Sequence, residues 1–175
     1  MDNGLVHIYC GDGKGKTTCA TGLAVRCAGN GGRVLWFQFL KTDMSSERKS
    51  LENLGNIDML SGYPEMKFTF KMSQEEKEAA ADFFDSRFEE IVAITKNNKY
   101  DMLILDEVLG AVALNMLSEN KLINFLENKP KGLEVILTGR DPSEKLCSLA
   151  DYISEIKKIK HPYDKGINAR KGIEY

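Results

Sequence analysis

The chain has 175 residues, of which 42% are hydrophobic and 29% are charged, and its formal net charge is −2 at pH 7. This length suits a single domain, residues 1–175, with a full hydrophobic core. The near-neutral charge and the absence of a long apolar run predict neither a nucleic-acid nor a membrane partner. No signal-peptide pattern is visible at the N-terminus, so we expect a cytoplasmic protein.

The first predicted elements are a strand, a glycine-rich turn and a helix. The strand is the apolar run Leu5–Tyr9, and the helical pattern runs over Thr18–Ala28. A turn of this kind directs backbone N–H groups and the positive end of the helix toward an anion, which predicts a phosphate cradle. The residues expected to form the cradle are Gly11, Asp12, Gly13, Lys14, Gly15, Lys16, Thr17 and Thr18.

Lys16 and Thr17 have the most specific expected roles in this turn. We expect Lys16 to reach the outer phosphates of a nucleoside triphosphate and Thr17 to ligate Mg²⁺. The pattern G-x-x-x-x-G-K-[ST] is incomplete, because Cys10 stands at its first glycine, and Lys14 adds a second cation. The alternative is a glycine-rich turn without a ligand, but such turns rarely carry G-K-T-T at the start of a helix.

The four cysteines include no C-x-x-C pair, so the spacing of a zinc site is absent. Cys19, Leu23 and Cys27 recur every four residues, which predicts one helix face packed against the sheet. We interpret the cysteines as small buried thiols in a reducing compartment and assign them no chemistry.

Further apolar runs alternate with helical patterns along the chain. Several are apolar at consecutive positions, which is typical of strands buried on both faces. The alternation predicts an α/β fold with a mostly parallel central sheet flanked by helices, the P-loop NTPase (RecA-like) architecture. The further predicted strands are Arg33–Phe39, Ile57–Leu60, Met102–Asp106, Glu134–Thr138 and Tyr152–Lys158.

Two helix starts carry capping signals. Ser73 followed by Glu76 has the spacing of a capping box and predicts a long helix that ends near Lys96. Asp141 as the cap, with Pro142 in the first turn, predicts a second start.

Two segments fit no regular element. Lys41–Arg48 is polar and follows a predicted strand, on the side of the sheet where ligand loops lie. Gly62–Met72 carries several aromatic residues, among them Phe68 and Phe70, interspersed with lysines. Two interpretations are open for this aromatic segment: packing under the edge of the domain, or a lid over an apolar ligand.

Two later strand ends carry residues suited to a nucleotide and its metal. Asp106 and Glu107 end a buried apolar run, and in P-loop proteins an acid at this place holds Mg²⁺ directly or through water. Thr138–Arg140 ends the next strand, beside the expected phosphate cradle. Two interpretations of Arg140 are open: it stabilises charge on a triphosphate, or it lies in a surface turn.

The C-terminal segment, His161–Tyr175, is not a simple charged run. It contains a proline, two glycines and spaced apolar residues, and three lysines precede it. A frayed, solvated terminus is one interpretation. We favour a defined loop that folds back over the site, where its cations suit a polyanionic ligand.

Together these segments resemble the ATP:corrinoid adenosyltransferases of the P-loop type over nearly the whole chain. The phosphate loop is shared by many families, whereas the C-terminal segment is far more specific. The matching segments are Gly11–Thr18, Gln38–Lys41, Leu105–Glu107, Thr138–Arg140, His161–Gly166 and Lys171–Tyr175.

The resemblance implies a particular reaction. The Co(I) centre of a reduced corrinoid attacks the 5′ carbon of ATP and displaces the intact triphosphate, in adenosylcobalamin biosynthesis or salvage. ATP is then a co-substrate with Mg²⁺ or Mn²⁺, the electrons come from a flavoprotein reductant, and the enzyme is a homodimer. Some members close the site with an N-terminal extension, whereas here the first strand follows Gly4 almost at once, so we expect closure that comes from elsewhere or is weaker.

The resemblance also implies residue roles. Lys14 and Lys16 contact phosphates, and His161 lies near the nucleoside. Phe70, where some relatives have tryptophan, helps to exclude the lower axial ligand from cobalt. The implied metal-site residues are Thr17, Asp106 and Glu107, and the implied catalytic residues are Lys16, Phe70, Glu107 and Arg140.

Two other functions are compatible with the same architecture. In an ATPase or phosphotransferase, Asp106 and Glu107 polarise water or an acceptor hydroxyl. In a nucleotide-gated module that binds a corrinoid or a protein, turnover is negligible. The products formed from ATP in the presence of a reduced corrinoid distinguish these two functions from adenosyl transfer.

Overall fold

The computed structural model describes residues 3–96 and 100–174 and shows, within them, one six-stranded parallel sheet. Its strand order is β3-β2-β4-β5-β1-β6, and all six predicted strands are confirmed, with small differences at their ends. The strands are β1 (Val6–Cys10), β2 (Val34–Gln38), β3 (Ile57–Met59), β4 (Met102–Asp106), β5 (Glu134–Thr138) and β6 (Tyr152–Glu155).

Helices connect the strands. The long α3 begins with the predicted capping box: Ser73 Oγ accepts from the Glu76 N–H, and the Glu76 carboxylate accepts from the Ser73 N–H. Short 3₁₀ turns lie at Thr69–Lys71 and Pro162–Lys165. The helices are α1 (Lys16–Gly29), α2 (Ser46–Leu51), α3 (Gln74–Thr95), α4 (Val108–Ala113), α5 (Glu119–Glu127) and α6 (Glu144–Leu149).

The hydrophobic core lies on both faces of the sheet, because successive strand residues point to opposite sides. Trp36 belongs to the cluster on the α1 face, together with Ala24. Phe37 belongs to the cluster on the α3 and α5 face, where its ring lies 6.3 Å from that of Phe84. Burying a side chain such as Phe84 stabilises the fold by roughly 1.5–3 kcal/mol. None of the helices in the described ranges has the length and apolar character needed to cross a bilayer.

The face of α1 that packs on the sheet differs from the predicted one. Ala20 and Ala24 are fully buried there, whereas Cys19 is exposed and Cys27 only partly buried. Alanine on the contact face lets a helix approach a sheet closely, and this selects a face one residue away from the cysteines. The expectation that all the cysteines are buried is therefore wrong for Cys19.

The predicted cap of α6 is also wrong. Ser143, not Asp141, caps the helix, and its Oγ accepts from the Leu146 N–H at 3.2 Å. Asp141 instead has a left-handed backbone with φ of +47°. The chain needs Gly139–Pro142 to reverse direction after β5, so the helix begins later than the capping pattern indicates.

Candidate active site

The carboxyl ends of three adjacent strands bring the predicted motifs together. In the sheet, β5 lies between β4 and β1, so the turns that follow these strands share one edge. The glycine-rich turn follows β1, Glu107 follows β4, and Arg140 follows β5. Parallel α/β sheets bind their ligands at this edge.

The glycine-rich turn has a backbone that glycine adopts readily and other residues do not. The angle φ is +110° at Gly11 and +121° at Gly15. A Cβ at Gly11 would collide with the carbonyl oxygen of Ile156, and one at Gly13 would lie 2.7 Å from the same atom. The Gly13 N–H donates to that oxygen at 2.7 Å, so the turn packs against the chain that follows β6.

Cys10, which stands at the first glycine of the motif, is the last residue of β1. Its side chain is 6% exposed and belongs to the cluster on the α3 and α5 face. Because this position is still extended strand, it needs no glycine, and a small thiol fills the space. Burial raises the pKa of the Cys10 thiol, which keeps it uncharged at neutral pH.

Lys16 is already directed into the turn. Its Nζ donates to the carbonyl oxygens of Gly11 at 2.8 Å and Gly13 at 2.9 Å. Burial lowers the pKa of Lys16, and the charge of Glu107 opposes that shift. The helix α1 starts at Lys16 without a side-chain cap, since Gly15 is its N-cap. Its first N–H groups are therefore directed to an external acceptor such as phosphate.

Asp106 is the centre of a hydrogen-bond network. Its carboxylate is fully buried and accepts from Thr17 Oγ1 at 2.9 Å and from Thr138 Oγ1 at 2.6 Å. It also accepts from Gln38 Nε2 at 3.2 Å and from Lys41 Nζ at 2.8 Å. Four donors, from α1, β2, β5 and the loop after β2, thus fix the carboxylate and with it the orientation of the Thr17 hydroxyl.

Glu107 is the more accessible of the two acids. It adopts a left-handed backbone with φ of +58° at the start of α4, and its N–H donates to Thr138 Oγ1 at 2.8 Å. Burial and the charge of Asp106 raise the pKa of Glu107, while Lys41, Lys16 and Arg140 act in the opposite direction.

These oxygens suit a magnesium ion brought in by a nucleotide. Within residues 3–96 and 100–174, no group of three or more histidine, cysteine, aspartate or glutamate side chains is arranged to hold a metal ion. Mg²⁺ prefers one or two carboxylates together with phosphates and waters. The hydroxyl of Thr17, next to Asp106 and Glu107, matches that preference.

Arg140 lies beside the glycine-rich turn. It follows Gly139, whose φ is +146° and where a Cβ would lie 2.6 Å from Leu109 Cβ. The Arg140 side chain is exposed, and its charge lowers the pKa values of Asp12 and Lys16.

Lys41 lies in the site, although the sequence analysis assigned it no role beyond its place in the segments Gln38–Lys41 and Lys41–Arg48. Burial lowers its pKa, but the charge and the hydrogen bond of Asp106 outweigh burial and raise it overall. Gln38 pairs with Asp106 in the β2–β4 register, so residues just after β2 approach the acids. Leu40 has φ of +54°, which turns the chain toward the site. The matching segment Gln38–Lys41 pointed to this region, and the β2–β4 pairing is the signal that identifies Asp106 as the partner of Lys41.

The C-terminal segment folds onto the turn, as predicted. Lys14 Nζ lies 3.3 Å from Glu174 Oε1, and the Arg170 guanidinium lies 2.9 Å from the same oxygen. The hydrogen bonds from Arg170 and Lys14 lower the pKa of Glu174 to about 2. Asp12 accepts from the Lys158 N–H at 2.8 Å, a hydrogen bond that lowers the Asp12 pKa. Tyr175 lies outside the described residues.

His161 has a local structural contact. Its Nδ1 accepts from the Tyr163 N–H at 3.2 Å at the start of the 3₁₀ turn Pro162–Lys165. The structure thus uses one ring nitrogen of His161 to begin the turn in the C-terminal segment.

A cavity of about 860 Å³ adjoins the Thr17 side of the site. Its walls come from α1, from the loop after β2, from the aromatic segment and from the C-terminal segment. The residues along it that matter here are Thr17, Thr18, Lys41, Met44, Phe68 and Glu174. A cavity of this size accepts a small organic ligand such as a nucleoside.

The aromatic segment Gly62–Met72 divides into two parts. Tyr63 packs at 5.3 Å from the ring of Phe83. Phe68 and Phe70 are 72% and 79% exposed and stack on each other at 5.6 Å. Packing under the domain edge is therefore confirmed for Tyr63 and wrong for Phe68 and Phe70.

The parallel sheet, the glycine-rich turn and the acid at the end of β4 define a P-loop nucleotide-binding protein. Residues 2–175 match the family profile of the ATP:corrinoid adenosyltransferases BtuR/CobO/CobP. The chain is 33% identical over 178 residues to the corrinoid adenosyltransferase of Escherichia coli strain K12, covering 99% of this chain and 87% of that protein. It is 34% identical over 185 residues to corrinoid adenosyltransferase CobA of Salmonella typhimurium strain LT2, with the same coverage.

The chain therefore belongs to the ATP:corrinoid adenosyltransferase family, as the sequence resemblance predicts. Its activity is the transfer of the adenosyl group of ATP to the cobalt of a corrinoid. A more distant corrinoid adenosyltransferase, from Sinorhizobium, is 30% identical over 177 residues, 99% of this chain and 81% of that protein.

Proposed function

We propose that the triphosphate of ATP lies in the turn Gly11–Thr18 as the leaving group, with the 5′ carbon directed toward the corrinoid. The observation that carries this proposal is the Lys16 ammonium, held over the turn by the carbonyls of Gly11 and Gly13 next to the uncapped start of α1. A cradle of this kind stabilises negative charge that grows on the departing oxygen.

In the proposed reaction, the electron pair of Co(I) forms the bond to the 5′ carbon. The bond between that carbon and the α-phosphate oxygen breaks, and its electron pair leaves on the triphosphate. Cobalt becomes formally Co(III), and no phosphorus–oxygen bond is cleaved. Bound Mg²⁺ supplies charge neutralisation to the triphosphate.

The protein's own cations stabilise the same leaving group. Lys16 lies at the centre of the turn, and Lys14 and Arg140 lie at its rim. Thr17 provides a hydroxyl ligand for the metal, and Asp106 fixes its orientation. Glu107 is the carboxylate available to the metal or to its waters, because the Asp106 oxygens are occupied by donors.

The exposed aromatic pair provides a surface for the corrinoid. Phe68 borders the cavity, and the solvent-exposed ring of Phe70 stacks on the ring of Phe68. Two large exposed apolar rings side by side on a soluble protein mark a binding surface. We propose that Phe70 excludes the lower axial ligand from cobalt, which eases reduction of Co(II), and that His161 approaches the nucleoside in the bound state.

The remaining expectations rest on the length and composition of the chain or on the resemblance, and all of them are proposed here. They are a single domain over residues 1–175, a homodimer, a cytoplasmic location and a flavoprotein reductant that delivers the electron to Co(II). The chemistry requires an electron donor of some kind, since only Co(I) is nucleophilic enough to attack carbon.

Product analysis tests this proposal. The protein is mixed anaerobically with MgATP and chemically reduced cob(I)alamin, the corrinoid spectrum is followed, and the phosphate products are separated. We expect intact tripolyphosphate in equal amount to a new cobalt–carbon chromophore. ADP with phosphate would instead indicate an ATPase, and saturable binding without product would indicate a binding module; either result contradicts the proposal.

A further inference from the structure

An ammonium group occupies the place where the site would hold a metal. Lys41 Nζ lies 2.8 Å from Asp106 Oδ2 and 2.9 Å from Thr17 Oγ1. The hydroxyl is the one that the metal proposal needs, and the carboxylate is the one that fixes its orientation. The Lys41 side chain is 28% exposed, so its charge is largely removed from solvent.

The two hydrogen bonds leave one lone pair on the Thr17 hydroxyl, and that lone pair lies beside the Lys41 ammonium. The hydroxyl proton is donated to Asp106, and the hydroxyl oxygen accepts from Lys41. A divalent ion bound to that oxygen would lie within a few ångströms of the ammonium, where two positive charges repel strongly in a partly desolvated site. Metal binding to Thr17 therefore requires Lys41 to move.

We propose that Lys41 is a built-in cation that neutralises Asp106 in the nucleotide-free enzyme, and that Mg²⁺ replaces it only together with the triphosphate. This inference rests on the proposed nucleotide and metal site. The triphosphate brings the negative charge that draws the ammonium off Asp106, and the metal then takes the vacated position. Free Mg²⁺ brings no such charge, so it competes poorly with Lys41.

The position of Lys41 in the chain allows this exchange. It lies in the irregular segment between β2 and α2, not inside a strand or helix. Lys41 also lines the cavity that adjoins the site. A flexible four-carbon stem in that position lets the ammonium leave Asp106 for a phosphate oxygen while the backbone stays in place.

Manganese binding to the nucleotide-free protein tests the proposal, with free Mn²⁺ quantified by electron paramagnetic resonance. Removing the Lys41 ammonium in Lys41→Met should tighten Mn²⁺ binding at least about tenfold over the unaltered protein. Lys121→Met is the control, because it removes a cation that pairs with Asp85 and Glu89 rather than with Asp106. It should change Mn²⁺ affinity by no more than about twofold. Unchanged affinity in Lys41→Met, or an equal gain in both variants, would overturn the proposal.

A second measurement keeps the test valid if Lys41→Met does not fold. Lysine ammonium groups held in hydrogen bonds give ¹⁵N NMR signals, and the Lys41 signal is assigned by its loss in Lys41→Arg. Excess Mg²⁺ without a phosphate ligand should leave this signal in place, and magnesium tripolyphosphate should shift it or abolish it. A signal unchanged by magnesium tripolyphosphate overturns the proposal. Neither measurement depends on adenosyl transfer, so failure here is distinguishable from failure of the product analysis.

Discussion

The strand-end side of the site and its outer side are built in different ways. At the strand ends, Asp106 is buried with four donors, and Lys16 is held by two backbone carbonyls. On the outer side, Phe68 and Phe70 lie in solvent, and Glu174 joins the C-terminal segment to the turn through exposed ion pairs. In the proposed complex the triphosphate would meet a site held by hydrogen bonds, whereas the corrinoid would meet an exposed aromatic surface.

The largest effect should come from Lys16, because its charge lies at the centre of the strand-end side. Lys16→Ala should reduce adenosyl transfer about 10³-fold, a magnitude typical of losing a charge-stabilising donor. The measurement is the steady-state rate with pre-reduced cob(I)alamin. Lys145→Ala, an exposed lysine on α6, is the control and should retain the full rate. A Lys16→Ala enzyme with a near-normal rate would place the triphosphate elsewhere.

Replacing Asp106 tests whether the strand-end side of the site also stabilises the fold. Asp106→Asn removes the charge that compensates Lys41 and should lower the free energy of unfolding by roughly 3 kcal/mol, near the lower end for a broken buried pair. Urea denaturation of the nucleotide-free protein measures this change. Asp85→Asn is the control, because Asp85 pairs with Lys121 in solvent. It should cost less than about 1 kcal/mol. An equal decrease in the free energy of unfolding of the two variants would mean that Asp106 is not the centre of the network.

Replacing Phe70 tests the outer side of the site without affecting the hydrophobic core. Phe70→Ala should slow transfer to cob(II)alamin supplied with a reductant by about tenfold, the scale of one lost aromatic contact. Transfer to pre-reduced cob(I)alamin should change much less, because the proposed role concerns reduction. The ratio of the two rates is the measurement, and Tyr152→Ala on β6 is an exposed aromatic control. An equal decrease in both rates would contradict the role of Phe70.

The smallest effect should come from the C-terminal segment. The pKa of Glu174 is lowered in the folded protein to about 2 by Arg170 and Lys14. The docking that Glu174 provides is therefore complete above its unfolded pKa of about 4.3 and is lost as the pH falls toward 2.

Glu174→Gln should mimic that loss at neutral pH. We expect trypsin cleavage after Arg170 to accelerate about threefold, with an unchanged melting temperature, because exposed ion pairs contribute little. Glu155→Gln, which alters the exposed pair with Lys157, is the control. A melting temperature that falls as Glu174 is neutralised would mean that the segment is part of the core fold.

The sequence predicted most of the strand-end side, for a physical reason. Phosphate binding by backbone N–H groups requires glycine, lysine and threonine at fixed spacing, so the turn Gly11–Thr18 is visible in the sequence. The strands are equally visible, since burial on both faces demands consecutive apolar residues. The role of Lys41 was not predicted, because its contact with Asp106 depends on the pairing of β2 with β4, which no local pattern encodes.

The sequence by itself determined the parallel α/β fold, the phosphate turn, the acids at the end of β4 and the family of the enzyme. Each of these depends on residue types at short, fixed spacing. Only the tertiary structure decided which acid is buried, which aromatic residues face solvent and which lysine neutralises Asp106. Those properties arise from contacts between distant segments, and the sheet order that creates them is a property of the folded chain alone.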